Sequence, residues 1–345
     1  MFDSRNSPEN DPLIIWLTGG PGCSSQLALL AENGPCKATA DGLDTVNNPY
    51  SWNSNANIMW LDQPANVGFS YGSTYVDDDH NEEEVAEDVY NFLQAFFEAN
   101  PEYQKNAFFV FGESYGGHYA PAISSRIYNG NLANEGIKVN LQGVGVGNGL
   151  TDPTVQYQYY PQMAMNNTYD IKCVSEEAYE NMVKHVPTCE KMAKLCQMNT
   201  TYCVAADDFC NVAETTPYYK TGLNPYDIRK PCEGDLCYDF TNIDTFLNLP
   251  SVCAYVCSKA CIDWIVFLVC IACIVCSVCV VWSSCVLLHL HVLGYALGYA
   301  TIYSICHYTT IPLYHYITEH TIPLNHDTHY TIIHTIHSRQ EKLFM

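Results

Sequence analysis

The stretch that decides the fold is Ala107-Phe108-Phe109-Val110-Phe111-Gly112-Glu113-Ser114-Tyr115-Gly116-Gly117-His118-Tyr119. Its first five residues form an apolar run of the kind that makes a buried strand. Gly112–Gly116 then reads G-x-S-x-G, and Tyr119–Tyr128 is compatible with a helix. A serine between a strand and a helix sits on a sharp turn, and flanking glycines let the backbone turn without Cβ clashes. The helix N-terminus behind it favours negative charge. Ser114 is therefore the candidate nucleophile, with an ordinary Gly-Ser turn as the competing reading.

An acyl-transfer serine also needs donors for the oxyanion. One is the N–H of the following residue, Tyr115. A second must come from a glycine-rich loop after an earlier strand. Trp16-Leu17-Thr18-Gly19-Gly20-Pro21-Gly22-Cys23-Ser24-Ser25 follows the apolar run Pro12–Leu17 and is such a loop. It lacks the lysine and spacing of a phosphate-binding loop.

Further apolar runs at Asn57–Leu61 and Val139–Val146 predict strands. Glu82–Asn100 predicts an amphipathic helix with Val85, Val89, Phe92, Leu93, Phe96 and Phe97 on one face, closed by Pro101. Strands alternating with helices imply a mostly parallel sheet in an α/β domain, here over residues 1–152. From 153 to 250 the chain is irregular and Cys-rich, with a helical stretch at Glu176–Cys196, as in a cap inserted over such a core.

Residues 251–345 do not continue this pattern. Trp264–Leu288 is 25 residues without a charge, long enough to span a membrane. Tyr303–His337 is a low-complexity string of His, Tyr, Thr and Ile. Two readings compete: a membrane anchor with a His-rich end, or a translated repetitive non-coding stretch. The second is preferred. The histidines match no defined metal spacing, and no metal or other cofactor is expected.

Lys and Arg number 15 against 37 Asp and Glu, a formal charge of −22, which repels nucleic acid. The 18 cysteines, with sequons at Asn166 and Asn199, suit an oxidising compartment and glycosylation. Yet the opening Met1-Phe2-Asp3-Ser4-Arg5 is polar and no signal peptide.

The glycine loop, Asp62-Gln63-Pro64 with Gly68-Phe69-Ser70-Tyr71, the Ser114 motif, and Gly147-Asn148-Gly149-Leu150-Thr151-Asp152-Pro153 occur in that order. Together they resemble the serine carboxypeptidases of the carboxypeptidase Y type over about residues 2–250. Tyr226-Asp227-Ile228-Arg229-Lys230, with Cys232 and Cys237, is a further match. The resemblance implies an α/β-hydrolase fold with a Cys-rich cap, truncated here at both ends. It implies release of C-terminal residues from peptides or proteins through an acyl-enzyme on Ser114. The N–H groups of Gly20 and Tyr115 would hold the oxyanion. Glu32 and Glu113 would bind the substrate carboxylate, at least one of them protonated, so acid conditions and a vacuolar, lysosomal or secreted location are expected.

The chain departs from the pattern in three ways. The family's carboxylate-binding Asn is Thr18, and a hydroxyl donates one hydrogen bond where an amide has two. The family's later Gly-Asp and Gly-Gly-His motifs, which carry the Asp and His of the triad, do not occur after Pro250. His118 belongs to the signature without being its base. The resemblance also pairs Cys23 with a cysteine beyond this stretch. Cys173, Cys189, Cys196, Cys203 and Cys210 leave their pairing open, whereas Cys232 and Cys237 could pair locally. An inactive truncated carboxypeptidase is the expectation. A membrane-tethered peptide binder and another α/β-hydrolase esterase are the alternatives.

Overall fold

A computed structural model describes residues 1–72, 79–234 and 237–253. Strand β1 (Leu13–Leu17) leads through helix α1 (Gln26–Ala31) and an antiparallel hairpin, β2 (Cys36–Ala38) and β3 (Thr45–Asn47), into β4 (Asn57–Trp60). Helix α2 (Glu82–Ala99), β5 (Phe108–Glu113), α3 (Gly116–Ala133) and β6 (Leu141–Gly147) follow. The four longer strands form one parallel sheet in the order β4-β1-β5-β6. Leu17 lies opposite Gly112, and Glu113 opposite Gly147. This register brings the loops after β1, β5 and β6 to one edge of the sheet. Parallel α/β sheets place their ligand sites at that carboxyl edge.

Both faces of the inner strand β1 are covered, as a parallel strand requires. On one face Leu13, Ile15, Leu17 and Val110 pack with Val89 and Leu93 of α2 and Ile123 of α3. On the other, Ile14 and Trp16 pack with Ile58, Trp60 and Ala28. Successive β1 side chains alternate between these cores, so all five are buried. At the outer strand, β6, Val144 and Val146 are exposed.

Helix α2 begins where expected, because the Asn81 side chain accepts from Glu84 N–H and three glutamates occupy the first turn. The expected apolar face holds for Val85, Val89, Leu93 and Phe97. Phe96 borders the core. Phe92 departs from it: it is 38% exposed and stacks on Phe96 instead. Its position carries it past the edge of the arc that faces the sheet. Arg126 of α3 ties the two helices, pairing with Glu87 and Glu135 while lying over the Tyr90 ring. The polar opening is not wholly loop, since Phe2 makes an antiparallel bridge to Ile58 beside β4.

After β6 the chain is helical: α4 (Pro153–Gln156), α5 (Tyr160–Met165), α6 (Glu176–Met198), α7 (Cys203–Cys210), a π turn at Asn211–Thr215, and α8 (Thr216–Tyr219). Disulfides join Cys189 to Cys210 and Cys196 to Cys203, fastening α7 to α6. Cys173 stays free and buried. A hairpin, β7 (Leu223–Asn224) and β8 (Asp227–Pro231), is followed by the local Cys232–Cys237 bridge. Helix α9 spans Thr241–Leu247.

Residues Met1–Ile243 belong to one compact unit, and a second begins at Asp244. Of the second, residues 244–253 are described, with Cys253 N–H donating to Leu249 C=O. The apolar run 264–288 and the His-rich repeat lie outside the described residues. Among the described residues no helix is long and apolar enough to cross a membrane. Nor does any group of three or more His, Cys, Asp or Glu among them stand ready to hold a metal ion.

Candidate active site

Ser114 opens the two-residue turn between β5 and α3 with φ +57°. That left-handed conformation is costly for a residue with a Cβ and persists only where the surroundings enforce it. Here they do. Ser114 N–H donates to Gly147 C=O at 3.0 Å, and Ser114 C=O accepts from the N–H groups of Gly117 and Leu150, each at 2.9 Å. The glycines are dictated by close approach. A Cβ on Gly112 would lie 2.2 Å from Gly116 O, and one on Gly117 would lie 2.5 Å from Leu150 O.

The glycine loop after β1 packs directly on this turn. A Cβ on Gly19 would lie 2.3 Å from Tyr115 N and 3.0 Å from Ser114 Cβ. Gly20 has φ +110°, which a side chain would resist. Two serines and an aspartate hold the loop. Ser25 Oγ accepts from Thr18 N–H and donates to Leu61 C=O. Asp62 accepts from Ser24 Oγ, Ser25 N–H and Phe69 N–H. The motifs at 16–25, 62–64 and 68–71 are thus one clasp. Sequence reading lists them in order without showing that they touch.

Tyr115 is buried, its hydroxyl donating to Glu82 Oε1 at 2.6 Å and its ring stacked on His118. Burial, with Glu82 next, holds the phenol in its neutral form. His118 is pushed towards neutrality by burial, which Glu82 opposes. Among the described residues no hydrogen bond links His118 to Ser114.

Glu32, at the end of α1, and Glu113, at the end of β5, meet beside this turn. Burial, the charge of Glu113 and a hydrogen bond donated to it by the protonated carboxyl push Glu32 up to about 8, against a smaller opposing effect of Lys37. Two carboxyls in contact cannot both ionise cheaply, so the neutral form of Glu32 is favoured. Thr18 is 7% exposed, and its hydroxyl has no protein partner among the described residues. Cys23 is free and exposed in the glycine loop. The β7–β8 turn brings Tyr226 within electrostatic reach of Cys23 and Glu113. That approach joins the helical region to the site and had no signal in sequence beyond the motif at 226–230. Asn166 and Asn199 are exposed.

A strained serine between strand and helix, at the carboxyl edge of a parallel sheet and clasped by a glycine loop, defines the α/β-hydrolase class. The family model described as serine carboxypeptidase matches residues 1–265, and the chain belongs to that family. It is 47% identical over 254 residues to serine carboxypeptidase-like 49 of Arabidopsis thaliana, covering 73% of this chain and 48% of that protein. It is 46% identical over 252 residues to carboxypeptidase Y of Komagataella phaffii, covering 72% and 47%. The fold is similar to that of the Saccharomyces cerevisiae prohormone-processing carboxypeptidase Kex1, with TM-score 0.60 and 26% identity, over 72% of this chain and 56% of that one. The chain spans about half the length of the curated relatives it matches.

Proposed function

We propose that this site performs serine carboxypeptidase chemistry on peptides with a free C-terminus. Given a base to take its proton and deliver it to the leaving nitrogen, Ser114 Oγ would attack the last peptide carbonyl, with the N–H groups of Gly20 and Tyr115 receiving the oxyanion. Collapse of that intermediate expels the terminal residue as the amine and leaves an acyl-enzyme, which water then hydrolyses. The proton shared by Glu32 and Glu113, with the Thr18 hydroxyl, donates hydrogen bonds to the substrate carboxylate. The observation that carries this reading is the meeting of Glu32 and Glu113 beside the serine turn, where burial raises the Glu32 carboxyl. A simple esterase has no use for it.

Among the described residues no His or Asp is hydrogen-bonded to Ser114. A serine without a base has the weak nucleophilicity of a free hydroxyl. We therefore propose that the 345-residue chain alone hydrolyses peptides at or near background while still binding their C-termini. A fluorophosphonate probe on the full chain, with Ser114→Ala as control, tests this. Strong Ser114-dependent labelling overturns the inactivity and supports the nucleophile. Equal binding of free and amidated peptides overturns the substrate class.

The oxidising chemistry of the three disulfides supports a vacuolar, lysosomal or secreted setting, in which Asn166 and Asn199 would carry glycans. A mass shift on glycosidase treatment of secreted protein checks the latter.

A further inference from the structure

Glu214 lies in the π turn between α7 and α8, far in sequence from any motif. It is 1% exposed, and neither carboxyl oxygen has a hydrogen-bond partner among the described residues. Buried carboxyls are ordinarily paired or hydrogen-bonded, because an ionised one loses its hydration with nothing in return. Among the described residues no cation acts on it. Tyr157 of the short turn before α5 feels the charge of Glu214, and Tyr160 of α5, Asp207 of α7 and Tyr219 of α8 act on the same phenol. Helix α6 also packs here, but its lysines, Lys184, Lys191 and Lys194, are exposed and do not act on Glu214. Burial alone pushes the Glu214 carboxyl up to about 7.

The turn that holds it is a weak piece of backbone. Thr216 N–H reaches back five residues to Asn211 C=O, a π geometry seen mostly as single turns inside helices. Tyr157 Oη donates to Asn211 Oδ1 at a long 3.3 Å, and Thr215 Oγ1 also donates to Asn211 C=O. Helix α7, by contrast, is fastened at both ends to α6 by the two disulfides. Local opening is therefore confined to the residues after Cys210.

We propose that Glu214 makes the packing of residues 211–219 dependent on acid, closed while its carboxyl is neutral and opening when it ionises. The sign follows from linkage. A carboxyl held above its ordinary range contributes its full stability at low pH, and that contribution falls as pH rises through 7. An acidic compartment would keep the segment shut, and a neutral one would loosen it. The proposal does not depend on catalysis by Ser114.

Hydrogen–deuterium exchange on the full chain tests it, with each rate divided by the intrinsic rate at that pH. Amides in 211–219 of the wild type are expected to lose protection on the order of 50-fold between pH 5 and 8. Those of α3 are expected to stay level. Glu214→Gln, an isostere of the neutral form, should abolish the difference. Glu214→Met, similar in length and unable to ionise, serves if the first variant does not fold. Level protection in the wild type, or the same pH dependence in either folded variant, overturns the proposal.

Discussion

Glu32 at the end of α1 meets Glu113 at the end of β5, and burial, with the charge of Glu113 next, pushes the Glu32 carboxyl up to about 8. The raised value favours the neutral form, so on the proposed function donation to a substrate carboxylate would be present in acid and lost as pH rises through 8. Binding of a free-C-terminus peptide should weaken about tenfold per unit above that point if one proton is required. Glu32→Gln keeps a donor and removes the titration. Isothermal titration from pH 5 to 9 should show a slope for the wild type and little for the variant.

Thr18, in the glycine loop, has a buried hydroxyl with no partner among the described residues. Thr18→Asn adds a second donor where a carboxylate would sit. A charge-assisted bond of about 1–2 kcal/mol predicts a rise in affinity on the order of 5- to 30-fold, measured against the amidated peptide as control. No change would separate Thr18 from carboxylate recognition.

Gly112 leaves no room for a side chain, since a Cβ there would lie 2.2 Å from Gly116 O. The neighbour is backbone and cannot swing aside. Gly112→Ala should destabilise the compact unit by roughly 2–3 kcal/mol in urea unfolding. Gly147→Ala is the control, because nothing lies within 4 Å of its added Cβ.

Cys189–Cys210 closes a separation of 21 residues between α6 and the start of the π turn. Replacing both with serine should lower stability by about 3 kcal/mol. Limited proteolysis should then cut first within 203–219. Resistance equal to the wild type would show that packing alone holds α7.

Much of the serine turn was legible because its signals are local. A run of Phe and Val at 108–111 can bury itself only as a strand, and glycines at 112 and 116 announce a bend that a Cβ would forbid. Phe92 was misplaced because helical periodicity names a face without saying how wide the facing sheet is. Asp62, Ser24 and Ser25 were visible as motif letters, but their clasp is a hydrogen-bond network across the gap between two strands. Tyr226 approaches Glu113 only because the hairpin folds back over the sheet edge.

By itself the sequence determined the parallel α/β order, the serine turn and the family, since hydrophobic period, glycine positions and motif order all lie along the chain. Tertiary structure alone decided which cysteines pair in the helical region and that, among the described residues, Cys173 stays free and Glu214 is buried without a partner. Those outcomes depend on distances through space and on loss of solvent, and neither is written in the spacing of residues.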